Sequence, residues 1–192
     1  AKANDVALVP NVLERGVAWL RTHQDKRLSY IMEDREHRRA NNTDALVFMV
    51  LTDSGSKDEK MKEIVFEDRL KMSVYAQSML GLAMHTLGDE NKWQTIKKNL
   101  EQYLKQDEEN QTAWLDLPNT GYWWYWYGSE IETHAYFLKL LSKTEPKSET
   151  ASRLVKYMLN NRRHATYWNS TRDTALCIEA LADYMRASGE DT

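Results

Sequence analysis

Three observations predict an all-α fold in which an inner layer of helices is enclosed by an outer one. Glycine and proline are scarce, at 7 and 3 of 192 residues, and strands joined by tight turns need more of both. Apolar residues make up 42% of the chain, recur at helical spacing, and suffice for the core of one domain over residues 1–192. Finally, helices with one apolar stripe alternate with helices that are apolar nearly all round. A simple bundle carries a single stripe on every helix, so the alternation predicts a double ring. The absence of a fixed period argues against a regular repeat array.

The elements follow in order. Pro10 suits a first helical turn, and Val12, Leu13, Val17 and Leu20, with Trp19 beside them, mark the stripe of a helix running to about Arg38. Asn41, Asn42 and Thr43 break it and offer caps. The segment from Asp44 to Ser54 is apolar all round and stops at Gly55. A short charged helix from Lys57 to Glu67 shows Met61, Ile64 and Val65 as its apolar side. Leu70 to Leu87 is again a buried type, with Gly88 at its end and Asp89 capping the next helix. That helix carries Trp93, Ile96, Leu100, Tyr103 and Leu104 on one stripe. Residues 107–128 read as a loop. Ser129 and Glu132 form a capping-box pattern that starts a buried helix with Ile131, Ala135, Leu138 and Leu141. Pro146 opens an amphipathic helix with Leu154, Val155, Met158 and Leu159. Ser170 and Asp173 start the last helix, read as buried over 170–188 and ended by Gly189.

Charge narrows the function classes. Net charge is −3, which leaves no electrostatic footprint for nucleic acid and no polybasic membrane patch. The short basic run from Arg35 to Arg39 reads as a solvated helix end. One cysteine, Cys177, forms no internal disulfide. No apolar run reaches the length of a membrane span, and no signal peptide is visible from Ala1.

Candidate chemistry is thin. Cys177 has no activating base beside it in sequence and reads as a small core residue. His23, His37, His85, His134 and His164 show no metal-ligand spacing with one another. Glu130 and His134 are an i, i+4 pair suited to a structural hydrogen bond. Glu130, Glu132 and Asp173 resemble paired acids, but all sit at helix starts, where capping and the helix dipole explain them. Tyr122, Trp123, Trp124 and Trp126 belong to an aromatic cluster over 122–127. A carbohydrate or ligand platform is one reading, but it reads better as a plug at the mouth of the ring, and next as a protein interface. No catalytic residue, cofactor or metal site is read.

Three segments carry a family resemblance: VYAQSMLGLAMHTLGDENK (74–92), YGSEIETHAYFLKLL (127–141) and YWNSTRDTALCIEALADYM (167–185). The last is the most specific, a Ser-Thr-x-Asp-Thr turn followed by an Ala/Leu helix and a Tyr. In this order the segments resemble the thioester-containing domain of the alpha-2-macroglobulin and complement family, and the Trp-rich loop resembles its bacterial members. The resemblance implies an α/α toroid of the terpenoid cyclase/prenyltransferase type. It also implies a secreted, periplasmic or cell-envelope protein that traps proteases as an endopeptidase inhibitor. In such proteins a cleaved bait region triggers capture through a Cys–Gln thioester. The thioester motif is missing: the nearest match, Cys177-Ile-Glu-Ala, lacks the Gln and lies in the wrong helix.

The sequence supplies about four helix pairs, fewer than a closed toroid holds, so the chain is expected to be part of a larger thioester domain. The expected function is a non-enzymatic helical module of a protease trap. Its partners would be other domains of the parent chain and, through it, the target protease. The alternatives are an enzyme on the same toroid (a polysaccharide lyase, glycosidase or cyclase) and an envelope scaffold that has lost trapping. An incomplete ring exposes apolar helix faces, which predicts an edge-to-edge dimer or a repacked N-terminal helix.

Overall fold

The computed structural model describes residues 9–117, 130–163 and 165–189. Among them the order is α1 (Val12–Glu33), α2 (Asn42–Asp53), α3 (Glu59–Asp68), a 3₁₀ turn (Arg69–Lys71), α4 (Val74–Thr86), α5 (Glu90–Glu101), β1 (Leu104–Asp107), β2 (Thr112–Leu115), α6 (Glu130–Thr144), α7 (Glu149–Asn160) and α8 (Thr171–Ser188). The fold is therefore mostly helical, as the scarcity of turn residues predicts.

Polar residues set the helix starts. Asn41 and Asp44 form a reciprocal capping box at α2. Asp58, Ser73, Asp89, Ser148 and Ser170 each accept a first-turn N–H of α3, α4, α5, α7 and α8. Gly189 ends α8 at φ 84°, a left-handed conformation that costs glycine little.

Helices α2, α4, α6 and α8 form a row in which each packs against the next, and α1, α3, α5 and α7 pack onto that row. The alternation read from sequence is this arrangement. Every residue of α4 from Val74 to Met84 is buried, and α2 and α6 are buried on most sides. Gly81 lets α4 and α6 come together: a Cβ there would lie 2.9 Å from a methyl of Leu140.

Several expectations need correction. Helix α8 buries only one face, through Asp173, Cys177, Ala180 and Tyr184, while Ile178 is 55% exposed and Met185 42%. The N-terminal half of the α1 stripe is also uncovered, with Val12 and Leu13 half-exposed and Trp19 66% exposed. Helix α1 ends at Glu33, not near Arg38. Arg35 leaves the helix to bind Asp68 through both Nη atoms, at 2.9 and 3.0 Å, and Arg38 turns back to the Tyr30 carbonyl and Glu33. The basic run is thus an ion-paired clip between α1 and α3, not a solvated helix end. Leu70 falls in the 3₁₀ turn and is exposed, so α4 starts at Val74.

The segment read as the end of α5 and the following loop contains an antiparallel hairpin, pairing Leu104 with Leu115 and Asp107 with Thr112. Its turn has neither Gly nor Pro. Asp107 Oδ1 instead accepts the N–H groups of Glu109 and Asn110, and Gln111 adopts φ 54°. That substitution of side-chain for glycine chemistry hid the turn.

Candidate functional site

Tyr75, Glu132 and Arg172 occupy the first turns of α4, α6 and α8 and meet there. Glu132 is buried and ion-paired with Arg172, whose own side chain is 62% exposed. Tyr75 packs edge-on to Tyr136 of α6, with ring centroids 5.7 Å apart. Burial raises the Tyr75 hydroxyl above the usual phenol value, Glu132 adds to this, and Arg172 opposes it. Burial likewise raises Tyr136, reinforced by Tyr75 and Glu132. Both phenols are thus kept neutral beside the Glu132–Arg172 ion pair.

The expected capping box of α6 involves Ser129, which lies outside the described residues. The Glu132 carboxylate is engaged by Arg172 in an inter-helix ion pair. Asp173 is buried, and its N–H is capped by the Ser170 hydroxyl at 3.0 Å. Cys177 lies one turn further along α8, fully buried. Burial, then Asp173 and Glu132, push its thiol from 9.0 up to about 12. It is held as a thiol, the form that neither attacks carbonyls nor ligates metals.

Glu130 and His134 do meet, but through the backbone. His134 Nδ1 lies 2.8 Å from the Glu130 carbonyl, and Nε2 accepts the Leu115 N–H at 2.8 Å. Because Nε2 is an acceptor, the proton of the neutral ring is on Nδ1 and is donated to Glu130. The Glu130 carboxylate receives the Tyr157 hydroxyl at 2.9 Å. Burial depresses the His134 pKa despite the nearby Glu130 charge. Trp114 stacks on Tyr157, with centroids 5.8 Å apart and planes at 18°. At the hairpin tip, Arg153 of α7 is held by Glu108 at 2.7 and 2.8 Å and by Glu149. The hairpin is therefore fastened at its base, middle and tip.

A groove of about 460 Å³ runs along the row and is lined only by residues of α2, α4, α6 and α8. Its charged groups are Asp53, Lys139, Lys143, Glu179 and Asp183. Lys139 bridges Glu179 at 2.8 Å and Asp183 at 3.2 Å.

Tyr122, Trp123, Trp124 and Trp126, the residues read as a plug or interface, lie outside the described residues, as does His164. His23 stacks on exposed Trp19, His37 pairs with Asp34, and His85 packs on Trp93. Among the described residues, no group of three or more His, Cys, Asp and Glu is arranged to hold a metal. Sequence reading missed Arg172, which stood as the variable position of the Ser-Thr-x-Asp-Thr turn. It also missed Tyr75 and Arg153. The available signal was the alternation of sign between Glu132 and Arg172 at two helix starts.

These features define a mostly helical domain whose one cysteine is shielded. A family model described as the A-macroglobulin TED domain matches residues 59–184. The chain belongs to that family, the thioester-containing domains of macroglobulin-type proteins. No curated protein matches the chain. No described helix is long and apolar enough to cross a membrane.

Proposed function

We propose that the chain is a non-enzymatic helical module of a macroglobulin-type protease trap, working outside the cytoplasm as part of a larger polypeptide. The observation that carries this reading is the thioester-domain match over residues 59–184. The row of α2, α4, α6 and α8 with its outer helices is the arrangement expected of a segment of an α/α toroid. Cys177 is buried and protonated, so a thioester in the parent protein would use another cysteine. Partners are the neighbouring domains and, through them, the captured protease. Exposed Ile178 and Met185 on α8 favour self-association of the isolated chain.

An envelope scaffold that has lost trapping is the nearest alternative. An enzyme on the same toroid is less well supported. Glu132 is engaged by Arg172, and two of the groove's acids are engaged by Lys139, which leaves them poorly placed as a general acid and base.

The test is capture by the parent polypeptide. It should form a denaturant-resistant adduct with an added protease, and methylamine pretreatment should abolish the adduct. Adduct mapping should exclude Cys177. Cleavage of a polysaccharide by the purified chain, lost on Glu132→Gln or Asp173→Asn, would replace this reading with the enzymatic one. A parent that binds its neighbours and captures nothing would favour the scaffold.

A further inference from the structure

The β1–β2 hairpin ends on a backbone donor that its own sheet does not use. Asp116 N–H bonds to the Tyr103 carbonyl at 2.7 Å. The adjacent facing pair, Leu104 with Leu115, is therefore a non-hydrogen-bonded pair, and the Leu115 N–H points away from β1. A buried amide needs an acceptor. His134 Nε2 is that acceptor, on a ring that is fully buried.

We propose that His134 is an acid-released latch: as a neutral imidazole it holds the hairpin on α6 and α7, and protonation lets the hairpin go. An imidazolium has no lone pair on Nε2, so two N–H groups would face each other across 2.8 Å. Its other nitrogen is already committed to the Glu130 carbonyl.

Among the described residues, the groups facing His134 come from α6, α7 and the hairpin. Helix α6 presents Glu130, by its carbonyl and charge. Helix α7 presents Tyr157, whose ring lies 4.9 Å away and whose hydroxyl is tied to Glu130. From the hairpin comes the Leu115 N–H, with Trp114 stacked on the far side of Tyr157. The hairpin's other fastening uses Arg153 with Glu108 and Glu149, and Arg153 holds the Glu108 carboxyl below its usual range. Asp107 is also held low, by Asn110. Among the described residues, His134 is the imidazole at this interface.

The sign follows from linkage. In the closed state burial lowers the His134 pKa, and in the open state it returns to about 6.5. The open state then binds more protons. Closure is favoured above about pH 6.5 and weakens as pH falls below it, with opening rising about tenfold per pH unit until the closed-state value is reached.

Amide hydrogen exchange of residues 104–117 tests this, measured from pH 7.5 to 5.0, corrected for intrinsic exchange and referenced to α4. The wild-type hairpin should lose protection about tenfold per pH unit below about 6.5 while α4 stays protected. His134→Gln keeps an acceptor without a titrating ring and should flatten that slope. His134→Ala should open the hairpin at every pH. Should both variants misfold, imidazole ¹⁵N spectra of the wild type decide. They should report the Nδ1–H tautomer at neutral pH, and its signal should vanish in step with Leu115 protection. Flat protection across the range, an unchanged slope in His134→Gln, or a ring that titrates while the hairpin stays closed would overturn the proposal.

Discussion

Arg172, largely exposed at the start of α8, is the counter-charge of Glu132, buried at the start of α6. The pair ties neighbouring helices of the row together, yet only one partner is dry. Arg172→Met removes the accessible half and strands a buried carboxylate. Breaking a buried pair costs 3–5 kcal/mol, and water reaching the Arg172 side reduces this to about 2 kcal/mol. Adding Glu132→Gln should recover most of the loss, because an amide needs hydrogen bonds but no counter-charge. Urea unfolding of the single and double variants measures both effects. Equal losses in the two would show that Glu132 needs no charge partner.

Asp68 is a second buried carboxylate. It accepts the Ala40 N–H at 2.7 Å and both Nη atoms of Arg35, with Arg39 at 3.6 Å. Asp68→Ala leaves a buried N–H without this acceptor and removes the clip that ends α1. A loss of about 3 kcal/mol is expected, read as a lower urea midpoint. A change within about 0.5 kcal/mol would place Asp68 among ordinary surface acids.

Arg153 should control the hairpin tip more than global stability. Its guanidinium gathers Glu108 and Glu149, both exposed, so salt should screen the contacts in part. Arg153→Ala should speed amide exchange over residues 107–112 and leave the α4 amides unchanged. Arg153→Lys should fall between, since a lysine cannot make the paired contacts to Glu108. Exchange that rises equally in both segments would mean the tip is part of the global folding unit.

The helices were legible because their signals are local. Asn41, Asp58, Ser73, Asp89, Ser148 and Ser170 cap helices by bonding their own first turns, and α4 is buried on all sides because almost every residue in it is apolar or small. Long-range polar links left no such trace. Arg35 to Asp68, Arg153 to Glu108 and Arg172 to Glu132 span 33, 45 and 40 residues. Nothing near any of these arginines names its partner. Helix α8 misled for another reason: a small residue such as Ala175 reads as core, whereas it lies on the exposed face.

That face makes its own prediction. Ile178→Ser should change folding stability by no more than about 0.5 kcal/mol, as at other uncovered positions. Ala180→Leu, on the buried face of the same helix, should cost 1–3 kcal/mol by overpacking. Sedimentation at rising concentration should show self-association of the parent chain weakened by Ile178→Ser. An Ile178→Ser loss as large as that of Ala180→Leu would mean α8 is enclosed on both sides.

Cys177 offers the sharpest check on the site. With its thiol pushed to about 12, the thiolate fraction at pH 8 is on the order of 10⁻⁴, against about a quarter for an ordinary exposed cysteine. Burial adds a steric block, because alkylation must wait for the helix to open. Iodoacetamide at pH 8 should therefore label the native chain at least about a thousandfold more slowly than the guanidinium-unfolded chain. Asp173→Asn should accelerate native labelling, since it removes one of the negative charges that disfavour the thiolate. Fast labelling of the native wild type would contradict the core position of Cys177. It would also reopen this residue as a candidate for acyl chemistry.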